Sequence, residues 1–219
     1  LLGQELTSHI RHCKNMLSIK KSEDDIMVDA GPITLYVNDF RRLFDNRWLS
    51  DNVINGYLDM VYRRSLAKEA LHPVAVLNSN FYSKLLKDGW SSVRKWLTGT
   101  KFSKAVMTFI PVHQENHWSL IIINNPLKTV TYYCSLMRRT NCLEVIKDLF
   151  LSMKLSVDNW SFTQNTTYPQ QNGEINCGVY LCQAVEYLSR MAPLNFSEDD
   201  MSYFREKMAV ELYNNKLFS

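Results

Sequence analysis

No apolar run in this chain approaches the roughly 20 residues that a membrane-spanning helix needs; the longest, such as Leu120 to Ile123, are far shorter. No charged-then-apolar leader opens it either, so a soluble protein without a membrane partner is expected, with targeting information outside these 219 residues. Paired metal-ligand spacing is also missing. The five cysteines, at 13, 134, 142, 177 and 182, are odd in number, which argues against a disulfide framework and a structural metal site and for a reducing compartment. Charge of one sign is scarce: a formal net charge of +3 is too small to imply a nucleic-acid or membrane surface. Repeats and low-complexity tracts are absent, and 46% hydrophobic with 21% charged residues is the composition of one ordinary globular domain.

The apolar pattern divides the chain. Leu6, Ile10, Met16 and Ile19 recur at helical spacing, so residues 1–32 are expected to form an extension helix and linker ending in Lys20-Lys21 and Glu23-Asp24-Asp25. Ile33 to Val37 alternates as a short strand, and Ser50 caps a helix bearing Val53, Ile54, Tyr57, Leu58 and Val61. Short helices are expected between Val74 and Lys104. Strands follow at 105–110, 118–123 and 129–133, the last two forming a hairpin around Asn124 to Lys128. Helical spacing returns at 143–153, 178–191 and 197–216, with a polar loop at 163–175. The fold class is α+β, with helices packed on a central, mainly antiparallel sheet.

Cys177 sits where the polar loop enters a helix, a position whose free amides favour a thiolate. A cysteine before an amphipathic helix is also an ordinary packing residue. His117 opens an apolar strand, and a hairpin centred between Asn125 and Pro126 sets it opposite Cys134. A thiol nucleophile needs a base, a group that orients the base, and oxyanion donors. His113, just before the strand, reads as a loop residue.

Six ordered blocks carry a resemblance. They are Asp39-Phe40; Trp48-Leu49-Ser50-Asp51-Asn52-Val53-Ile54-Asn55; Asn78 to Tyr82; Gly89 to Trp96; Pro111-Val112-His113-Gln114-Glu115-Asn116-His117-Trp118-Ser119-Leu120; and Pro169-Gln170-Gln171-Asn172-Gly173-Glu174-Ile175-Asn176-Cys177-Gly178-Val179. The chain resembles the ubiquitin-like-protein-specific protease family, the sentrin (SUMO) cysteine proteases with a papain-like fold, over about Ile33 to Leu217, which implies a protease domain at 33–219. The resemblance implies Cys177 as nucleophile at a helix N-terminus, His117 as general base and Gln171 as oxyanion-hole side chain. It implies Trp48 and Trp118 as walls of a tunnel for the Gly-Gly tail of a SUMO-like modifier, with Asp51 contacting that modifier. It also implies no cofactor, partners limited to the modifier and its conjugates, a monomer, and a nuclear or nucleocytoplasmic location. The residues alone leave other readings standing: Gln171 as a loop amide, the tryptophans as aromatic core, and Asp51 as a first-turn helix carboxylate.

Two positions depart from the pattern. Cys134 stands where the family carries the orienting Asp, and Asn176 where an Asp usually precedes the nucleophile. A neutral thiol stabilises an imidazolium poorly, and neutralising the equivalent acid in serine proteases costs roughly 10⁴ in turnover. The expectation is therefore a weakened Cys-His dyad, with a modifier-binding pseudoprotease or scaffold as the alternative. A Cys134–Cys177 disulfide and a plain packing role for Cys134 are further readings. Lys84, Lys87, Arg94, Lys95, Lys101 and Lys104 lack the interleaved aromatics of a nucleic-acid surface.

Overall fold

The computed structural model describes residues 2–20, 22–29, 31–67, 72–99 and 102–218; Lys21 and Lys101 lie outside them. The chain opens with helix α1 (Leu2–Ile19), then an antiparallel hairpin of β1 (Ile26–Asp29) and β2 (Thr34–Tyr36). The boundary expected between residues 32 and 33 thus falls inside a hairpin. Two helices follow, α2 (Val37–Phe44) and α3 (Asp51–Ala67). Ser50 Oγ accepts from the Val53 amide at 3.3 Å and donates to Asp39 Oδ1 at 2.5 Å, so the cap also ties α3 to α2.

Next come β3 (Val74–Val76), α4 (Asn80–Asp88), α5 (Trp90–Gly99), β4 (Met107–Gln114), β5 (His117–Asn124), β6 (Thr129–Tyr133), α6 (Cys142–Ser152), β7 (Ser161–Gln164), α7 (Cys177–Ser189) and α8 (Met201–Tyr213). Gly89, at φ 75° and ψ −179°, separates α4 from α5, because that backbone conformation, open to glycine, turns the chain out of the first helix. The five strands lie in the order β3-β4-β5-β6-β7, antiparallel at the centre and parallel at both edge pairings.

Alternation along the central strands sends side chains to two cores. Phe109, Trp118, Leu120 and Ile122 face one, with Ile54 and Tyr57 of α3, Val179 and Leu181 of α7 and Met208 of α8. Ile110, Val112, Ile121, Ile123 and Val130 face the other, with Phe81 and Leu85 of α4, Val93 of α5 and Phe150 of α6. The sheet is therefore the middle of three layers, and α7 enters it at the end where β5 begins.

Candidate active site

The β5–β6 hairpin pairs Leu120 with Tyr133 and Asn124 with Thr129, a register shifted by two residues from the expected one. Cys134 is therefore diagonal to His117, not opposite it. An even shift keeps both side chains on one face, and His117 Nε2 still lies 3.3 Å from Cys134 Sγ. The same sulfur accepts from the Arg138 backbone amide at 3.4 Å. Burial lowers the His117 pKa to about 4, assisted by the positive charge of Arg138 and by His113.

Cys177 is the first residue of α7 and is 1% exposed. Burial dominates its titration and raises the thiol above its usual range. Opposing it, the backbone amides of Trp118, Gly178 and Cys177 itself favour the thiolate, with Arg205 adding positive charge. The first of these amides belongs to the peptide bond joining His117 to Trp118, so the helix start and the strand start meet at one point. Helix-terminal amides do favour the thiolate, as the sequence implied, but burial outweighs them. Thiol and imidazole are thus both neutral in the resting site.

Gln171 is buried, and its side chain accepts from Ser135 Oγ at 2.9 Å while its Nε2 donates to the Gly173 carbonyl. The loop-capping and oxyanion readings are compatible, because a primary amide has a second N–H to offer. The two tryptophans differ. Trp118 is buried core, donating to the Leu49 carbonyl at 3.2 Å with the His113 ring 4.4 Å away. Trp48 is 44% exposed and donates to the Glu174 carbonyl at 3.1 Å, three residues before Cys177. Asp51 opens α3, exposed, and its charge acts on His113. His113 is not a loop residue: it lies in β4, paired with Trp118, because β4 runs four residues beyond the apolar run that marked it.

The profile of the Ulp1 protease family, C-terminal catalytic domain, matches residues 47–216. The chain belongs to the Ulp1 protease family. Human sentrin-specific protease 2 is 27% identical over 205 residues, covering 89% of this chain and 35% of that protein. Human sentrin-specific protease 3 is 30% identical over 192 residues, covering 84% of this chain and 32% of that protein. The chain spans about a third of the length of these relatives. In structure it is similar to the C-terminal Ulp1 protease domain solved in complex with Smt3, the yeast ortholog of SUMO, with a TM-score of 0.82, 26% identity and 95% of each chain covered.

Against the Ulp1 pattern, Arg205 of α8 escaped sequence reading. It is fully buried, and its guanidinium donates to Asn176 Oδ1 at 2.9 Å, to the Ile175 carbonyl at 2.8 Å, and to the Arg42 and Arg47 carbonyls, both at 3.0 Å. One side chain thereby joins the segment before Cys177 to the segment before Trp48. The available signal was an arginine within the apolar stripe Met201, Phe204, Met208, Ala209 and Leu212. The remaining cysteines, 13, 142 and 182, are buried free thiols. Among the described residues no cluster suited to a metal ion occurs, and no helix is long and apolar enough to cross a membrane.

Proposed function

We propose that this chain is a cysteine protease that hydrolyses the peptide or isopeptide bond after the C-terminal Gly-Gly of a SUMO-like modifier. The observation that carries the reading is that the amide of the His117–Trp118 peptide bond acts on the Cys177 thiol at the start of α7, while the His117 ring is held through Nε2 against Cys134. With Nε2 carrying its proton toward Cys134, Nδ1 of His117 holds a lone pair and takes the thiol proton. The sulfur then attacks the terminal glycine carbonyl, and the Cys177 amide with the free N–H of Gln171 receives the oxyanion. The imidazolium returns the proton to the departing amine, and water hydrolyses the thioester. Glycines suit the approach because a side chain would collide with Trp48 and Trp118; Asp51 offers a carboxylate to the modifier's body. A nuclear or nucleocytoplasmic location follows from the same resemblance.

The dyad is weakened because Cys134 is a poor substitute for a carboxylate. It supplies no negative charge, and a thiol both donates and accepts, so it holds the productive histidine tautomer less firmly. The low His117 pKa favours a second reading, a modifier-binding pseudoprotease. Release of fluorophore from a SUMO C-terminal fluorogenic substrate separates the two. The enzyme reading expects turnover above that of Cys177→Ala; equal rates, with tight modifier binding retained, establish the scaffold.

A further inference from the structure

Asn176 differs in kind from Cys134, because the residues around it match an amide on both sides. Its Oδ1 accepts from Arg205 Nε at 2.9 Å, and its Nδ2 donates to Glu198 Oε1 at 2.5 Å. Glu198 starts a 3-10 turn, Glu198–Asp200, and its other oxygen lies 3.0 Å from the Tyr180 hydroxyl and 3.4 Å from the Asn172 amide. Asn176 therefore stands between a cation and an anion. An aspartate in its place would accept from Arg205 equally well but turn a second carboxylate toward Glu198. Although Asn176 is the N-cap of α7, its side chain makes no capping bond, so it is committed to this bridge.

The consequence falls on Arg205. Among the described residues, no carboxylate comes within ion-pair distance of its guanidinium, and its donors end on the Asn176 amide oxygen and three backbone carbonyls. A buried guanidinium without a directly bound anion projects most of its charge onto its surroundings, because low dielectric screens it little. The residue after Asn176 is Cys177. Among the described residues, Arg205 is the charged side chain that acts on that sulfur; Glu198 lies beyond the Asn176 amide, and His117, on the neighbouring β5, is neutral. Glu174 in the preceding loop offers the sulfur only its carbonyl, at 3.8 Å.

We propose that Arg205, kept free of a carboxylate by Asn176, is a positioning residue that supports the Cys177 thiolate electrostatically, in part replacing the stabilisation lost where Cys134 stands for an acid. The assignment rests on the protease reading of the same site. Activation of the nucleophile is thereby shifted from an imidazolium partner toward a fixed cation and the α7 amides. Burial is the largest influence on both groups, raising the Cys177 thiol and lowering Arg205 to about 10; against it, each favours the charged form of the other, and Glu198 also acts on Arg205.

The test is titration of the Cys177 thiolate by its ultraviolet absorbance, taken at each pH as the difference from the matching Cys177→Ala protein. Four backgrounds are compared: parent, Asn176→Asp, Glu198→Gln, and Asn176→Asp with Glu198→Gln. In the double variant the amide introduced at position 198 donates to the carboxylate introduced at position 176 and accepts from Tyr180. The bridge is then rebuilt with reversed polarity, and the fold is kept even where Asn176→Asp alone is unstable. A carboxylate at 176 is expected to raise the thiolate midpoint by about one pH unit, the low end of the effect of a charge at contact distance. The decisive pair is the double variant against Glu198→Gln, which differ only at position 176. A carboxylate at 176 also repels the thiolate directly, so Arg205→Gln is read in the Glu198→Gln background as well: a midpoint that fails to rise on loss of the guanidinium, or one in the double variant equal to or below that of Glu198→Gln, overturns the assignment. No substrate is involved, so a chain that cleaves nothing still returns the answer. Loss of the protease reading and loss of this one are then distinguishable.

Discussion

Restoring a carboxylate at position 134 perturbs one interaction whose size can be bounded. Cys134→Asp places an anion against His117 Nε2, where a neutral sulfur now lies 3.3 Å away. An opposite charge at this range favours the protonated imidazole by roughly 1–3 pH units, or about 1.4–4 kcal/mol, moving His117 from about 4 to a value near 5–7. The imidazolium forms in the transition state, so the gain in kcat/KM is expected to be about 10- to 1000-fold, below the roughly 10⁴ of the serine-protease template because a thiol depends less on its base. The carboxylate is not orphaned: the Arg138 amide and the His117 N–H both face it, with the Arg138 charge nearby. Two measurements are required, kcat/KM on a SUMO C-terminal fluorogenic substrate and the His117 midpoint by NMR in a Cys177→Ala background. A folded Cys134→Asp protein with a raised His117 midpoint but kcat/KM within twofold of the parent would refute the account of the weakened dyad.

Acid sensitivity is set partly by His117. Its folded pKa, about 4, lies below the roughly 6.5 of an unfolded histidine, so its contribution is complete above that value and lost as pH falls toward 4; it amounts to about 3 kcal/mol. Urea midpoints at both ends of that window should converge more closely in His117→Gln than in the parent, and an unchanged slope removes His117 as a source. Gly178→Ala should lower Tm by about 5 °C, since a Cβ there lies 3.1 Å from Leu49 Cβ and 3.2 Å from Ile54 Cδ1, and overpacking costs about 1–3 kcal/mol. A melting curve identical to the parent's would show that Leu49 yields freely. Trp48→Ala should leave Tm within about 2 °C, because the ring is 44% exposed, yet reduce kcat/KM about 30-fold, the scale of a truncated tryptophan anchor. Loss of stability without loss of rate would return Trp48 to a structural role.

The strands that carry the site were legible because apolar alternation is strong in β4 and β5, and the helices because their stripes are long. The parallel edges β3 and β7 were not, at three and four residues, since so short a run has no period of its own. The hairpin register slipped for a definite reason: Asn124 continues β5, so the turn begins one residue later than its Asn-Asn-Pro composition suggested. The His117–Cys134 contact survived because the error was even. Trp48 and Trp118 looked alike in sequence and differ in burial, which only the packing of Trp118 against Leu49 decides. Arg205 was missed because its partners are mostly backbone carbonyls, and a carbonyl leaves no trace in residue identity.

His117 and Trp118 are successive residues on one strand, so the pleat turns the imidazole and the indole to opposite sides of a single ribbon. Insertion or deletion of one residue ahead of them would swap their destinations, sending a bulky ring toward Cys134 and an imidazole to the place beside Leu49 where Trp118 now packs. A two-residue change preserves the assignment and merely slides it. Length variation at the tip joining β4 to β5 should therefore be tolerated by parity, with even changes kept and odd ones discarded, a rule that a small indel library could read directly.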